Sequence, residues 1–279
     1  MRIALIADVH SNILALEAVM KALKRHTPDM ILSLGDQVNL GPCPQETLSL
    51  LKAEDVTCLH GNHERYVLAA MAGDPSYAGA NFAFPRYNAA LLTPEQITFP
   101  KALQIDGITF CHAMPDDDRF PVFEPERALP LLRKMTFSTP THIICGHGHN
   151  PTHVHSGNVT IDSIGAVGCM DDGVPGTAPF AILTLEHGQA ALRPYYVAYD
   201  TKEMKTIFRQ SGMVDACPVM SHLICLQMMF NRDHLVGFVA GAEQLSKSRG
   251  ETIISQKTWM DADAAYAWPD GVGTADFWK

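Results

Sequence analysis

Residues 1–12 read MRIALIADVHSN, a short apolar run from Ile3 to Ala7 that stops abruptly at Asp8, Val9 and His10. Such a run, closed by polar residues, suits a strand buried on both faces. Ile13, Leu16, Val19, Met20 and Leu23 then recur at helical spacing, with Ser11 or Asn12 placed to cap the helix. The pattern repeats downstream. Met30 to Leu34 is a second strand leading into Gly35-Asp36, Pro44 to Leu51 a helix opened by a proline-rich turn, and Val56 to Leu59 a third strand. The order strand, helix, strand, helix, strand predicts a parallel sheet with helices on its faces.

Outward from this segment the reading becomes less regular. Glu64 to Leu103 has helical character broken by Gly73, Pro75, Pro85 and Pro94, which predicts short wrapping helices. Asp106-Gly107 between apolar runs predicts a hairpin turn, and Thr141 to Cys145 a further buried strand. Val154 to His155, Val159 to Ile164, Pro179 to Leu185 and Ala190 to Val197 alternate and are separated by turns such as Ser156-Gly157-Asn158. This second set reads as antiparallel. The expected fold is α/β, two packed mixed sheets flanked by helices. Lys202 to Arg209 and Val219 to Phe230 predict extra C-terminal helices, followed by a tail carrying Trp259, Trp268 and Trp278. Residues 1–200 are therefore expected to form the catalytic domain, and 201–279 a helical extension and tail packed on or beside it. The methionines of 219–230 read as core or as a contact between copies of the chain, so a homo-oligomer is compatible with them.

Composition narrows the function. The chain has 279 residues, 47% of them hydrophobic and 18% charged, the balance of a globular protein. A net charge of −9 argues against coating nucleic acid or an anionic membrane, so nucleic acid is not the expected partner. Seven cysteines without a CxxC pair fit a reduced, cytoplasmic protein. The first residues lack the pattern of a cleavable signal, and no run approaches the length of a membrane span.

The chemistry sits at the strand ends. Asp8-Val9-His10, Gly35-Asp36, Gly61-Asn62-His63-Glu64, Cys111-His112 and Gly146-His147-Gly148-His149 each follow an apolar strand. Loops at the carboxyl ends of parallel strands converge on one crevice, so these blocks can meet. A set of His, Asp and Asn suits borderline transition metals such as Mn, Fe, Zn or Ni better than calcium. Two such ions would screen a phosphoryl group and lower the pKa of bound water, which is the requirement of phosphoester hydrolysis.

In this order and combination the five blocks resemble the signature of the calcineurin-like metallophosphoesterase superfamily. Ser11-Asn12 and Gly41-Pro42-Cys43-Pro44 give the chain a likeness to its small bacterial phosphodiesterase branch. The resemblance implies the four-layer sandwich of that fold. It also implies two divalent ions, with Asp8, His10, Asp36 and His149 on one and Asp36, Asn62, His112 and His147 on the other. Asp36 would bridge them. His63 would protonate the leaving alkoxide or steady the phosphoryl oxygens, and Asn12 would help orient a phosphate. The implied reaction is in-line attack of metal-bound hydroxide on a phosphodiester or a small phosphorylated molecule. The second block continues Gln37-Val38-Asn39-Leu40-Gly41, without the arginine found in relatives that act on phosphoproteins, which argues against such a substrate.

Other residues carry weaker readings. His60 and His142 could support ligands from behind, and Cys111 and Cys145 read as small buried hydrophobes. Asp116-Asp117-Asp118 reads as a solvated loop, and Arg119 beside it as a contact for substrate phosphate. A non-catalytic interaction scaffold with the same fold is the alternative, its working surface being the methionine-rich helix and the tail. A metallo-β-lactamase-like reading of His147, His149 and His153 fails on the Asn150-Pro151 that follows the histidine pair.

Overall fold

A computed structural model of the chain describes residues 1–122, 124–135 and 139–279. The opening segment forms β1 (Arg2–Ile6), α1 (Ile13–Leu23), β2 (Met30–Ser33), α2 (Pro44–Ala53) and β3 (Thr57–Cys58) in the expected order. Along β1 the side chains alternate between faces. Ile3 and Leu5 point into a core between two sheets, and Ala4 and Ile6 pack on Leu16, Val19 and Met20 of α1. Next come α3 (Asn62–Met71), α4 (Ala83–Ala89), and a hairpin of β4 (Ala102–Ile105) and β5 (Ile108–Cys111). Its turn residues Asp106 and Gly107 both have positive φ, 48° and 80°, as a two-residue hairpin turn requires.

The remaining strands correct the expected pairing. After α5 (Pro125–Leu132) come β6 (Thr141–Cys145), β7 (Thr152–Ser156), β8 (Val159–Ser163), β9 (Thr177–Glu186) and β10 (Gln189–Ala198). The second set does not form an antiparallel sheet of its own. β8 runs parallel to β6, with Ile143 opposite Ile161, while β7 pairs antiparallel on its outer side. β9 crosses to the first sheet and lies antiparallel to β1, with β10 beyond it. The result is two mixed five-stranded sheets, β10-β9-β1-β2-β3 and β4-β5-β6-β8-β7. Strands this short and alternating fit either kind of neighbour, so tertiary packing decides.

Four layers follow from the buried clusters. Ile3, Leu5, Leu32 and Leu183 of one sheet meet Ile108, Phe110 and Ile144 of the other. α1 covers the first sheet, and Ala128 and Leu132 of α5 cover Ile143, Val154 and Ile161 of the second. β10 is an edge, interrupted at its middle by Pro194, and the opposite edge, β3, has two residues.

The extension comprises α6 (Met204–Gln210), α7 (Met213–Ala216), α8 (Pro218–Phe230), α9 (Leu235–Ser248), α10 (Gln256–Ala265) and α11 (Thr274–Phe277). α8 is buried nearly all round, and its cluster includes Leu40, Phe84 and Cys169 from the first part of the chain as well as Trp259, Trp268 and Phe277 from the tail. No described helix is long and apolar enough to cross a membrane.

Candidate metal centre

The strand-end loops do converge. Asp8, His10 and His149 form one group of ligand atoms within 4.8 Å of one another, and Asp8, Asp36 and His112 form a second. Asp36 Oδ2 lies 3.2 Å from His112 Nε2 and 3.9 Å from His10 Nε2. Asn62 Oδ1 stands 2.8 Å from His112 Nε2, and the His147 ring lies 5.1 Å from that of His112. All seven expected ligands thus occupy one cluster.

The backbone is held in an unfavourable form to achieve this. Asp8, His10, Asp36 and His147 have φ of 51°, 48°, 56° and 61°, a left-handed region that residues with a Cβ seldom enter. Cross-strand bonds fix them there. Asp8 N–H donates to Gly35 O at 3.0 Å, His10 N–H to Asp36 O at 3.0 Å, and His147 N–H to the Asp8 carboxylate at 2.9 Å. Glu64, fully buried at the start of α3, accepts from the backbone N–H groups of Asp36, Gln37, Val38 and Gly61. One carboxylate therefore ties two ligand loops together. Gly61 is needed beside it, since a Cβ there would stand 2.6 Å from Asp36 N.

The donor set fits a cation. His112 Nδ1 donates to Leu34 O at 2.9 Å and His149 Nδ1 to Asp171 Oδ1 at 2.9 Å, which leaves Nε2 of each ring facing the cluster, free to bind a proton or a metal ion. Each Nε2 meets another atom with a lone pair: Asn62 Oδ1 at 2.8 Å from His112 Nε2, and His10 Nε2 at 3.1 Å from His149 Nε2. Neither juxtaposition is stable without a proton or a metal ion between the partners. His10 Nδ1 is in addition buried with no hydrogen-bond partner.

The electrostatics say the same. Burial pushes Asp8 up to about 7, His112 and His149 notwithstanding. Burial also opposes ionisation of Asp36, but His112 and His63 beside it hold it well below the usual carboxylate range. Burial disfavours charge on His112, yet Asp36 raises it to about 10; burial acts likewise on His149, and Asp171 raises it to about 9. Burial drives His10 well down and His147 down to about 3.

His63 lies in the same cluster, its Nε2 3.9 Å from Asp36 Oδ2. Its tautomer follows from a chain of amides. Asn88 Nδ2 donates to Phe84 O at 3.1 Å and faces Asn39 Oδ1 at 3.5 Å, so Asn39 turns its Nδ2 toward His63 Nδ1 at 2.8 Å. Nδ1 accepts, and the ring proton resides on Nε2, toward the cluster. Burial lowers His63 to about 4, so the ring is neutral at pH 7.

Two other expectations fare differently. The Asn12 amide is occupied by the fold: Oδ1 accepts from Ala15 N–H as the cap of α1, and Nδ2 donates to Gly168 O at 2.9 Å. Nothing remains aimed at a phosphate. Arg119 is exposed and lines a cleft of about 280 Å³ with His60, Lys101 and His112. In the acidic run, Asp118 forms a two-point pair with Arg65 at 2.7 and 2.9 Å, so only Asp116 and Asp117 are solvated. His60 borders His112 in that cleft, whereas His142 bonds Asp162 at the far end of β6. The supporting roles of Glu64, Asn39 and Asp171 were missed. Glu64 stands three residues after Gly61, the spacing of a capping box, and so had a readable signal; Asn39 and Asp171 had none.

A family model described as calcineurin-like phosphoesterase matches residues 1–169, which carry all seven residues expected to hold metal. The chain belongs to the calcineurin-like phosphoesterase family. Among relatives, an uncharacterized protein of Methanocaldococcus jannaschii is 28% identical over 204 residues, 62% of this chain and 78% of that protein. A metallophosphoesterase from Sphaerobacter thermophilus superposes with a TM-score of 0.63 at 25% identity, covering 82% of this chain and all of that one. A hypothetical protein from Pyrococcus horikoshii shares the fold, with a TM-score of 0.61 at 16% identity over 83% of this chain and 99% of its own. As a calcineurin-like phosphoesterase the chain carries Asp and His clusters able to hold metal.

Proposed function

We propose that the protein is a dinuclear metal-dependent phosphoesterase acting on a phosphodiester or a small phosphate ester. The observation that supports this best is the position of Asp36, whose Oδ2 faces both His10 and His112, the arrangement of a bridging carboxylate. Asp8, His10, Asp36 and His149 would hold one ion, and Asp36, Asn62, His112 and His147 the other. Mn, Fe, Zn or Ni suits these nitrogen and oxygen donors. When bound, such ions screen phosphoryl charge and acidify water. His63, neutral with its proton on Nε2, is placed to donate a hydrogen bond to a phosphoryl oxygen rather than to act as a free imidazolium acid. Arg119, at the rim of the adjoining cleft, is available to a second anionic group on the substrate. The ligand set lacks no member, which favours catalysis over a scaffold role. Free cysteines at every position fit a reducing, cytoplasmic setting.

The test is metal analysis and a panel of chromogenic phosphate mono- and diesters on one preparation, with Asp36→Asn alongside. Metal-dependent hydrolysis that chelation abolishes is expected in the wild type. In Asp36→Asn the metal content falls and turnover drops by about 10³-fold, in the range of losing a principal charge-stabilising group. A variant with full metal content and wild-type rates would overturn the bridging role.

A further inference from the structure

We infer that Gln227, on a helix outside the family-matched segment, is a positioning residue for the metal centre, acting on His149 through Asp171. The inference rests on the metal-centre reading proposed above. α8 is apolar, with Leu223, Ile224, Leu226 and Met228 all buried, yet Gln227 among them is only 2% exposed. A buried amide in such a place is costly unless its hydrogens are bonded. Both are: Nε2 donates to Asp171 Oδ1 at 3.0 Å and to Met170 O at 3.3 Å. The same Oδ1 accepts from His149 Nδ1 at 2.9 Å.

Asp171 by itself is poorly restrained. Its side chain is 39% exposed and sits on an irregular segment between β8 and β9. The end of α8 fixes that segment at several points. Asn231 Nδ2 donates to Val174 O and Thr177 O at 2.7 Å each, Gly173 N–H donates to Asn231 O, and Asp233 N–H to Asp171 O at 2.7 Å. Gln227 adds the one bond from α8 to the carboxylate itself. Its consequence is directional. With Asp171 held, His149 keeps a proton on Nδ1 and its Nε2 aimed at the cluster, ready to exchange its proton for a metal ion; with Asp171 loose, the ring can turn away. A leucine at 227 would serve the hydrophobic cluster equally well and lose this.

The experiment uses the full chain stripped of metal, with Mn²⁺ affinity measured by calorimetry and the His149 tautomer by ¹⁵N NMR of labelled histidine above pH 10, where the metal-free ring is neutral. Gln227→Met preserves volume and removes the donor. The expected result is Mn²⁺ binding about 10- to 100-fold weaker, the usual cost of losing such a supporting partner, with a mixed His149 tautomer and an unchanged metal-free melting temperature. Should Gln227→Met not fold, Gln227→Asn draws the amide back by one methylene and carries the same expectation. Asp171→Ala, at a more exposed position, shows a loss at least as large, and adding Gln227→Met to it weakens binding no further. Wild-type affinity in a folded Gln227 variant or in Asp171→Ala, or full additivity of the two, overturns the inference. A wild-type protein that takes up no Mn²⁺ overturns the metal-centre reading and this inference with it.

Discussion

At the scale of single residues, the ligand cluster has a pH signature opposite to that of most histidine sites. His112 and His149 are raised, to about 10 and about 9, by the carboxylates beside them, and Asp8 is raised by burial to about 7. A group raised on folding binds its proton more tightly in the folded state. Its stabilising contribution is complete below the unfolded pKa and disappears as pH climbs through the folded one. Above about pH 8 the groups acting in this sense are His112 and His149. The lowered rings His63, His10 and His147 oppose this near pH 6.5, where their unfolded forms still take up protons, and contribute no slope above about pH 8, where they are neutral in both states. Chelated protein should therefore melt at progressively lower temperature from pH 8 to pH 10, while protein saturated with Mn²⁺ should not, because the residues proposed to hold the metal would already be deprotonated. Scanning calorimetry across that range, with and without chelator, checks this; a flat metal-free profile would remove the coupling between the histidines and their carboxylates. These residues were legible in the sequence because each follows an apolar run with nothing structural to explain it. Asn12 was given two roles, and the structure shows the first: it caps α1, and only the bonds to Ala15 and Gly168 show the amide to be occupied by the fold rather than aimed at a phosphate.

At the scale of elements, the start of α3 does two jobs. Asn62 and His63 face the cluster from its first turn, and Glu64 reaches back to the loop after β2. Four backbone donors surround its carboxylate. Glu64→Gln would set an amide N–H₂ against two of those donors, leaving buried N–H groups unmatched at about 1–3 kcal/mol each. The expected result is a variant several degrees less stable with weakened metal binding, read from thermal melts and Mn²⁺ titration. A variant equal to wild type in both would mean that the loop holds its left-handed residues without this carboxylate. The elements themselves were largely readable, from β1 through the Asp106-Gly107 hairpin to α8. What could not be read was which strand lies beside which. Val159, Ile161 and Ser163 present the same buried alternation whether β8 joins β6 or a different neighbour, and the crossing of β9 to β1 depends on contacts more than 170 residues apart, such as Leu5 opposite Ala181.

At the scale of the whole molecule, the extension and the sandwich share a core. Leu40 and Cys169 belong to the same buried cluster as Trp259 and Trp268. All three tryptophans of the chain, Trp259, Trp268 and Trp278, lie in the extension. Their fluorescence thus reports on it alone, whereas far-ultraviolet dichroism is dominated by the chain as a whole. The two signals should trace one unfolding curve with a common midpoint. Separate midpoints would show the extension to be an independently folding unit. The outline of the sheets carries a consequence for self-association as well. An open strand margin is a template on which another polypeptide can polymerise by backbone pairing. Pro194 withholds a donor from the middle of the longest such margin, and the far side of that sheet offers only two residues. Copies of this protein are thereby hindered from zipping together along the margins of this sheet.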